Sequence, residues 1–148
     1  MAKNSNNINT AIFVALKVSE VSKVPILIMS NPGIGKSSTV ELFAKVRGYE
    51  VECLRGNSTT PEEILGYDTA GEQAEKAKQC THLRPSWLAR VLKNAENGKK
   101  TLLFLDELTT ANEYVQAALL QLIFSRKADE DYLPDDCLVV AAGNYFSN

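Results

Sequence analysis

A short apolar run, Val24-Pro25-Ile26-Leu27-Ile28-Met29, leads into Ser30-Asn31-Pro32-Gly33-Ile34-Gly35-Lys36-Ser37-Ser38 and then into Thr39-Val40-Glu41-Leu42-Phe43-Ala44-Lys45-Val46. The first run has the length of a buried strand and the last the spacing of an amphipathic helix, which makes the glycine-bearing stretch a strand-to-helix turn. Strand, glycine loop and helix together are the context of a phosphate-binding loop. Glycines let successive backbone N–H groups converge on one concavity, and the helix N-terminus adds partial positive charge. In that reading residues Asn31, Pro32, Gly33, Ile34, Gly35, Lys36, Ser37 and Ser38 line a triphosphate, with Lys36 reaching the outer phosphates and Ser37 ligating Mg²⁺. The usual pattern begins with glycine, whereas this chain has Ser30. A serine fits there only if its backbone stays out of the left-handed region. The loop by itself also admits a plainer reading, a βα turn that binds nothing.

With 148 residues, 45% of them hydrophobic and 23% charged, the chain has the size and composition of one domain with a proper core. A net charge of -2 supplies no general pull towards nucleic acid or anionic membrane. No apolar run approaches the roughly 20 residues of a membrane helix, and the polar start is unlike a signal peptide, which points to a cytoplasmic address. Cys53, Cys80 and Cys137 are far apart with no C-x-x-C pair, which speaks for free thiols over a disulfide framework or zinc site. His82 is the single histidine and reads as structural.

Ile8, Ala11, Ile12, Ala15 and Leu16 recur at helical spacing and predict a helix to Val21, with Asn7 as its cap. Gly48 ends the helix after the glycine loop. Tyr49 to Leu54 alternates as a strand. Thr60-Pro61-Glu62-Glu63 is a capping box that opens a short helix to Gly66. Tyr67 to Thr81 is polar and fits either a hairpin insertion or a solvated helix. Pro85-Ser86 opens a helix closed by Asn97-Gly98.

Lys100-Thr101-Leu102-Leu103-Phe104-Leu105-Asp106-Glu107 is the second informative stretch. Its unbroken apolar run marks a strand buried on both faces, and its two carboxylates fall at the C-terminal end, where α/β sheets place their ligand crevice. Asp106 would hold Mg²⁺ and Glu107 would orient or deprotonate an attacking water. The rival reading is a turn that merely begins with two acids. Thr110-Ala111-Asn112-Glu113 reads as another capping box, before a stripe of Tyr114, Val115, Ala118, Leu119, Leu122 and Ile123. Arg126 and Lys127 suit the dipole at that helix's end, with a role for Arg126 at a neighbouring subunit's nucleotide as the alternative. After an acidic loop, Cys137 to Ala142 forms the last strand and ends in Gly143-Asn144, where Asn144 is placed for the attacking water or the γ-phosphate.

These residues resemble a known family. Ser30 to Ser37 is similar to a Walker A loop, Leu102 to Glu107 to a Walker B strand, and Val139 to Asn144 to the sensor 1 strand of an AAA+ ATPase. Asp106-Glu107-Leu108-Thr109-Thr110-Ala111, followed by Val115-Gln116-Ala117-Ala118-Leu119-Leu120, resembles the MoxR-like branch, as does Thr60 to Gly66. The likeness runs from Ile8 to the end and implies an α/β P-loop fold, a parallel sheet of about four strands with helices on both faces.

It also implies Lys36 for the β- and γ-phosphates, Ser37 and Asp106 for Mg²⁺, Glu107 for water activation and Asn144 for γ-phosphate sensing, with ATP and Mg²⁺ as the cofactors. Such ATPases continue past sensor 1 with an arginine finger, a fifth strand and a lid. Residues 1–148 therefore read as the front part of an AAA+ core, from Walker A to sensor 1, with strand 26–29 left at an edge and hydrolysis weak or absent in isolation; the alternative is a compact stand-alone domain that covers this edge by self-association. The expected function is Mg²⁺-dependent ATP hydrolysis that remodels protein partners, von Willebrand factor A-type proteins among them, in a homo-oligomeric ring. Alternatives are a nucleotide-gated docking module, a degenerate P-loop scaffold, or another P-loop enzyme such as a kinase.

Overall fold

The computed structural model describes residues 2–69 and 81–146. In chain order it contains α1 (Ala2–Ser22), β1 (Ile26–Ser30), α2 (Lys36–Arg47), β2 (Tyr49–Arg55), α3 (Pro61–Leu65), β3 (Tyr67–Thr69), β4 (Thr81–Leu83) and α4 (Ser86–Glu96). There follow β5 (Lys100–Asp106), a 3-10 turn (Leu108–Thr110), α5 (Glu113–Ser125), β6 (Lys127–Ala128), β7 (Asp131–Tyr132) and β8 (Leu138–Asn144). Cys80 and residues 70–79 lie outside the described residues.

Four parallel strands form the central sheet in the order β1-β8-β5-β2. The two middle strands carry unbroken apolar runs because both of their faces are covered. Leu102, Phe104, Val140 and Ala142 pack against Ile12 and Leu16 of α1 and Val40 and Phe43 of α2. The alternate residues Leu103, Leu105, Val139 and Ala141 pack against Ile64, Trp87, Leu88, Val115, Leu119 and Leu122 from α3, α4 and α5. The period-2 alternation of side chains therefore makes one sheet serve two cores. This is the α/β architecture the sequence implies.

β1 stands at the edge of this sheet, as expected, and Leu27 is 53% exposed. The N-terminal ends of the strands are tied together by Glu20, which accepts hydrogen bonds from Arg47 and the Tyr49 hydroxyl and lies 4.0 Å from Lys100. Burial works to raise the Glu20 carboxyl, but the bonds from Arg47 and Tyr49 and the nearby cations outweigh it and hold the group below its ordinary range. Burial and the Glu20 charge push the Tyr49 phenol up.

Several sequence expectations are corrected. The first helix begins at Ala2, so Asn7 lies inside it and does not cap it. Neither Gly nor Pro occurs between Ala2 and Ser22, and a helix nucleated on the apolar stripe propagates outward through such residues. Thr110 does not cap α5. It belongs to the 3-10 turn and donates to the Glu107 carbonyl, while Asn112 caps the helix by accepting from the Val115 amide at 3.0 Å. Tyr114 is 71% exposed, one position off the buried stripe. Arg126 adopts the left-handed C-cap of α5 and donates to the carbonyls of Pro134 and Cys137, both at 2.9 Å, which spends its guanidinium at the end of β8 remote from Asn144. The acidic stretch before β8 contains a small hairpin, β6 with β7, absent from the sequence expectation. The ends of the 67–81 segment pair as antiparallel strands, Tyr67 with Leu83, which favours the hairpin alternative at its base.

Candidate phosphate and magnesium site

At the C-terminal ends of β1, β5 and β8 a cleft of about 460 Å³ opens between the glycine loop, Asp106, Glu107, Gly143 and Asn144. The sheet order produces it. β8 lies between β1 and β5, so the three stretches singled out in the sequence end side by side.

Gly33 (φ 78°) and Gly35 (φ 83°) occupy the left-handed region, where a side chain would be strained although space is open around both. Ser30 does not. It is the last residue of β1, and its backbone is ordinary strand, so the departure from glycine carries no conformational strain. Gly35 precedes α2 with no side-chain cap, which leaves the first-turn N–H groups of a 12-residue helix facing the loop. Thr39 fixes that first turn, its hydroxyl lying 3.0 Å from the Gly35 carbonyl and 3.1 Å from Asn9 Oδ1 of α1.

Lys36 is 9% exposed. Its ammonium donates to Ser30 Oγ and to Asn144 Oδ1, each at 2.7 Å. Both partners are neutral oxygens, and among the described residues the ammonium forms no ion pair. A buried cation without a counter-charge is costly, and the surrounding N–H groups add to the positive potential, so the arrangement favours an anion.

Across the cleft Ser37 Oγ donates to Asp106 Oδ2 at 3.3 Å. Asp106 Oδ1 accepts from the Glu107 amide at 2.9 Å, which fixes the carboxylate's orientation. Among the described residues no cluster of three or more His, Cys, Asp or Glu side chains could hold a metal alone. A hydroxyl and one carboxylate do suit a small hard cation that takes its other ligands from phosphate and water, as Mg²⁺ does. Glu107 has φ 56°, a left-handed conformation that is unusual for a non-glycine residue and turns the chain sharply after β5. Its carboxylate accepts a long hydrogen bond from the Thr110 hydroxyl, at 3.5 Å.

The sequence reading did not single out three residues that shape this turn. Thr109 Oγ1 accepts from the Asn144 amide at 3.0 Å and lies 3.1 Å from the Asn144 carbonyl, strapping the turn after β5 to the end of β8. Gly143 makes room for the strap, because a Cβ there would lie 2.6 Å from Thr109 Cγ2 and 3.0 Å from Met29 Sδ. Gly56 similarly admits the Glu107 carbonyl and Ala111, at 2.8 Å each from a built Cβ, while its amide donates to the Asp106 carbonyl. A glycine at the end of an otherwise branched strand is a signal of close backbone approach that could have revealed Gly143. The hydroxyl of Thr109 had no such signal. Asn31 and Pro32 belong to the loop, but Pro32 lines the cleft and Asn31 does not.

The comparisons with known proteins agree with this geometry. The AAA domain of the dynein-related subfamily matches residues 25–142. Midasin of Giardia intestinalis is 30% identical over 105 residues, 70% of this chain and 2% of that protein. A solved structure described as a candidate ATPase from Cytophaga hutchinsonii ATCC 33406 aligns with a TM-score of 0.57 at 19% identity, covering 97% of this chain and 39% of that one. At that identity the likeness speaks for the fold. The chain thus spans a small part of both relatives. No helix among the described residues is long and apolar enough to cross a membrane.

Proposed function

The chain belongs to the dynein-related subfamily of AAA domains, a family of nucleotide-binding ATPases, and from that premise we propose that it binds Mg²⁺ and ATP in the cleft between β1, β5 and β8 and hydrolyses the terminal phosphoanhydride. The observation that carries this reading is Lys36, a residue 9% exposed whose ammonium is held, among the described residues, by the neutral oxygens of Ser30 and Asn144 beside an uncapped helix N-terminus.

In this proposal the loop amides from Gly33 to Ser38 receive the phosphates, and Lys36 meets the β- and γ-oxygens. Ser37 and Asp106 hold Mg²⁺, which supplies charge neutralisation of the phosphate oxygens when bound. Glu107, projecting from its tight turn, orients the attacking water and takes its proton. Asn144 reads the γ-phosphate by donating from Nδ2, while its Oδ1 accepts from Lys36.

Finer features belong to the same proposal. The run from Asp106 to Leu120 supports assignment to the MoxR-like branch, with remodelled protein partners of the von Willebrand factor A type, a ring of subunits and a cytoplasmic setting. Arg126 donates to the Pro134 and Cys137 carbonyls of its own chain, and in this reading a neighbouring subunit supplies the arginine that completes the transition state. Residues 30–144 then carry the Walker A to sensor 1 elements of an ATPase core. The exposed edge of β1 is suited to receive a further strand.

The test is calorimetric titration of ATP with Mg²⁺ into the wild-type chain and Glu107→Gln, followed by phosphate release. Retained binding with turnover reduced about 10²-fold or more in Glu107→Gln supports a general base. Equal turnover in the two proteins would remove Glu107 from the chemistry and favour a docking module.

A further inference from the structure

Ser30 stands where phosphate loops of this type usually begin with glycine, and the proposed function leaves its side chain unused. Its place in the sheet gives it one. Ser30 and Asn144 are register partners on the adjacent parallel strands β1 and β8, so their side chains emerge side by side from the same face. The Lys36 ammonium bridges the pair, 2.7 Å from each oxygen. The Ser30 hydroxyl donates onward to the Asn31 carbonyl at 3.1 Å, which orients its lone pairs towards Lys36. The Ser30 carbonyl accepts from the Tyr145 amide at 3.1 Å, so the backbone behind the hydroxyl is also fixed.

An ammonium has three N–H donors. Two are taken by Ser30 and Asn144, and the third is available for a phosphate oxygen. Asn144 accepts the Lys36 hydrogen bond on Oδ1, which leaves its Nδ2–H₂ group to donate to a γ-phosphate oxygen. A glycine at position 30 would remove one of the two side-chain oxygens that hold the ammonium among the described residues.

We propose that Ser30 is a positioning residue of the nucleotide site, whose hydroxyl, together with Asn144 Oδ1, holds the Lys36 ammonium aimed at the β- and γ-phosphates. The inference rests on the nucleotide reading above and deepens it. The serine is a working substitute for the glycine that others use, with no penalty in backbone strain.

The experiment is a double-mutant cycle on nucleotide affinity, with ATP, ADP and AMP titrated in the presence of Mg²⁺ and thermal unfolding recorded for every variant. Ser30→Ala should weaken ATP and ADP binding about tenfold, the expected effect of losing one hydrogen bond to a charged group. AMP, which lacks the phosphates Lys36 meets, should be unaffected. Ser30→Thr, which keeps the hydroxyl, should stay within about twofold of wild type. In a Lys36→Ala background Ser30→Ala should have no further effect, because the group it positions is gone.

Wild-type affinity in Ser30→Ala, or an equal loss in the Lys36→Ala background, would overturn the role of Ser30 while leaving the nucleotide site standing. Wild-type protein that is folded and binds no nucleotide, or binding indifferent to Lys36→Ala, would overturn the site itself and the role of Ser30 with it.

Discussion

At the N-terminal end of the central sheet Glu20 gathers Arg47, the Tyr49 hydroxyl and Lys100, whereas at the C-terminal end Lys36 is held by Ser30 and Asn144. Both ends join several elements through polar side chains. At the first, cations meet a carboxylate, and Lys100 also sits 4.4 Å over the Tyr49 ring. At the second, a lysine buried in the sheet's end meets, among the described residues, the neutral oxygens of Ser30 and Asn144, beside a helix N-terminus that has no side-chain cap. The first end has its charges matched and serves cohesion. The second keeps positive potential unspent, and that unspent potential is the mark of a binding site.

Exchanging damage between the two ends tests this contrast most severely. Lys36→Ala should reduce affinity for ATP with Mg²⁺ by about 10²-fold or more, given the loss of a charge-assisted contact to phosphate. Its unfolding free energy should stay within about 1 kcal/mol of wild type, because a buried cation with no counter-charge is removed along with its two hydrogen bonds. Strong destabilisation by Lys36→Ala, measured by urea unfolding, would make the two ends alike and break the comparison.

Gly143→Val comes next, since its side chain would meet Thr109 and Met29 at the distances that exclude even a Cβ. Overpacking of this kind costs about 1–3 kcal/mol. The strap from Thr109 to Asn144 should open, with nucleotide binding weakened even at temperatures where the protein is folded.

Glu20→Gln should show the reverse of Lys36→Ala, with stability reduced by about 1 kcal/mol at neutral pH and ATP affinity unchanged. The same group sets an acid limb. Its folded-state carboxyl titrates below the ordinary value of 4.5, so its contribution is complete above that value and is lost as the pH falls through the lower folded-state value. Urea unfolding between neutral pH and acid should show wild type losing more stability below 4.5 than Glu20→Gln does.

The smallest effect concerns the thiols. Burial pushes Cys137 up to about 12, whereas Cys53 is exposed, though burial of its sulfur also raises it. Alkylation of the native protein at mildly alkaline pH, mapped by mass spectrometry, should label Cys53 well before Cys137.

Much of this was legible in the chain. The apolar runs of β1, β5 and β8 and the glycines that end α2 and α3 are local signals, and so is the capping box at Thr60, which forms in full. The three site-bearing stretches were readable because phosphate chemistry needs backbone N–H groups, a cation and carboxylates in characteristic local patterns. What stayed hidden depends on pairing across the sheet. Ser30 looks like a defect until β8 lies beside β1 and Asn144 comes level with it. Thr109 and Gly143 matter only once their two strands end together. The start of α5 was misplaced because Thr110 and Asn112 are both good caps, and the left-handed turn at Glu107 decides between them.

The placement of β1 also governs the order of events on a growing polypeptide. The glycine loop is synthesised early, yet the strand that carries it pairs with β8, Ile26 with Val140 and Ser30 with Asn144, and neither β2 nor β5 touches it. Parallel pairing between stretches so distant in sequence is slow to nucleate, because the chain between them must first be brought together. A nascent chain ending between residues 106 and 138 owns Lys36, Ser37 and Asp106 but lacks Gly143 and Asn144, which line the same cleft. The cleft proposed for nucleotide is complete only once β8 has entered the sheet between β1 and β5.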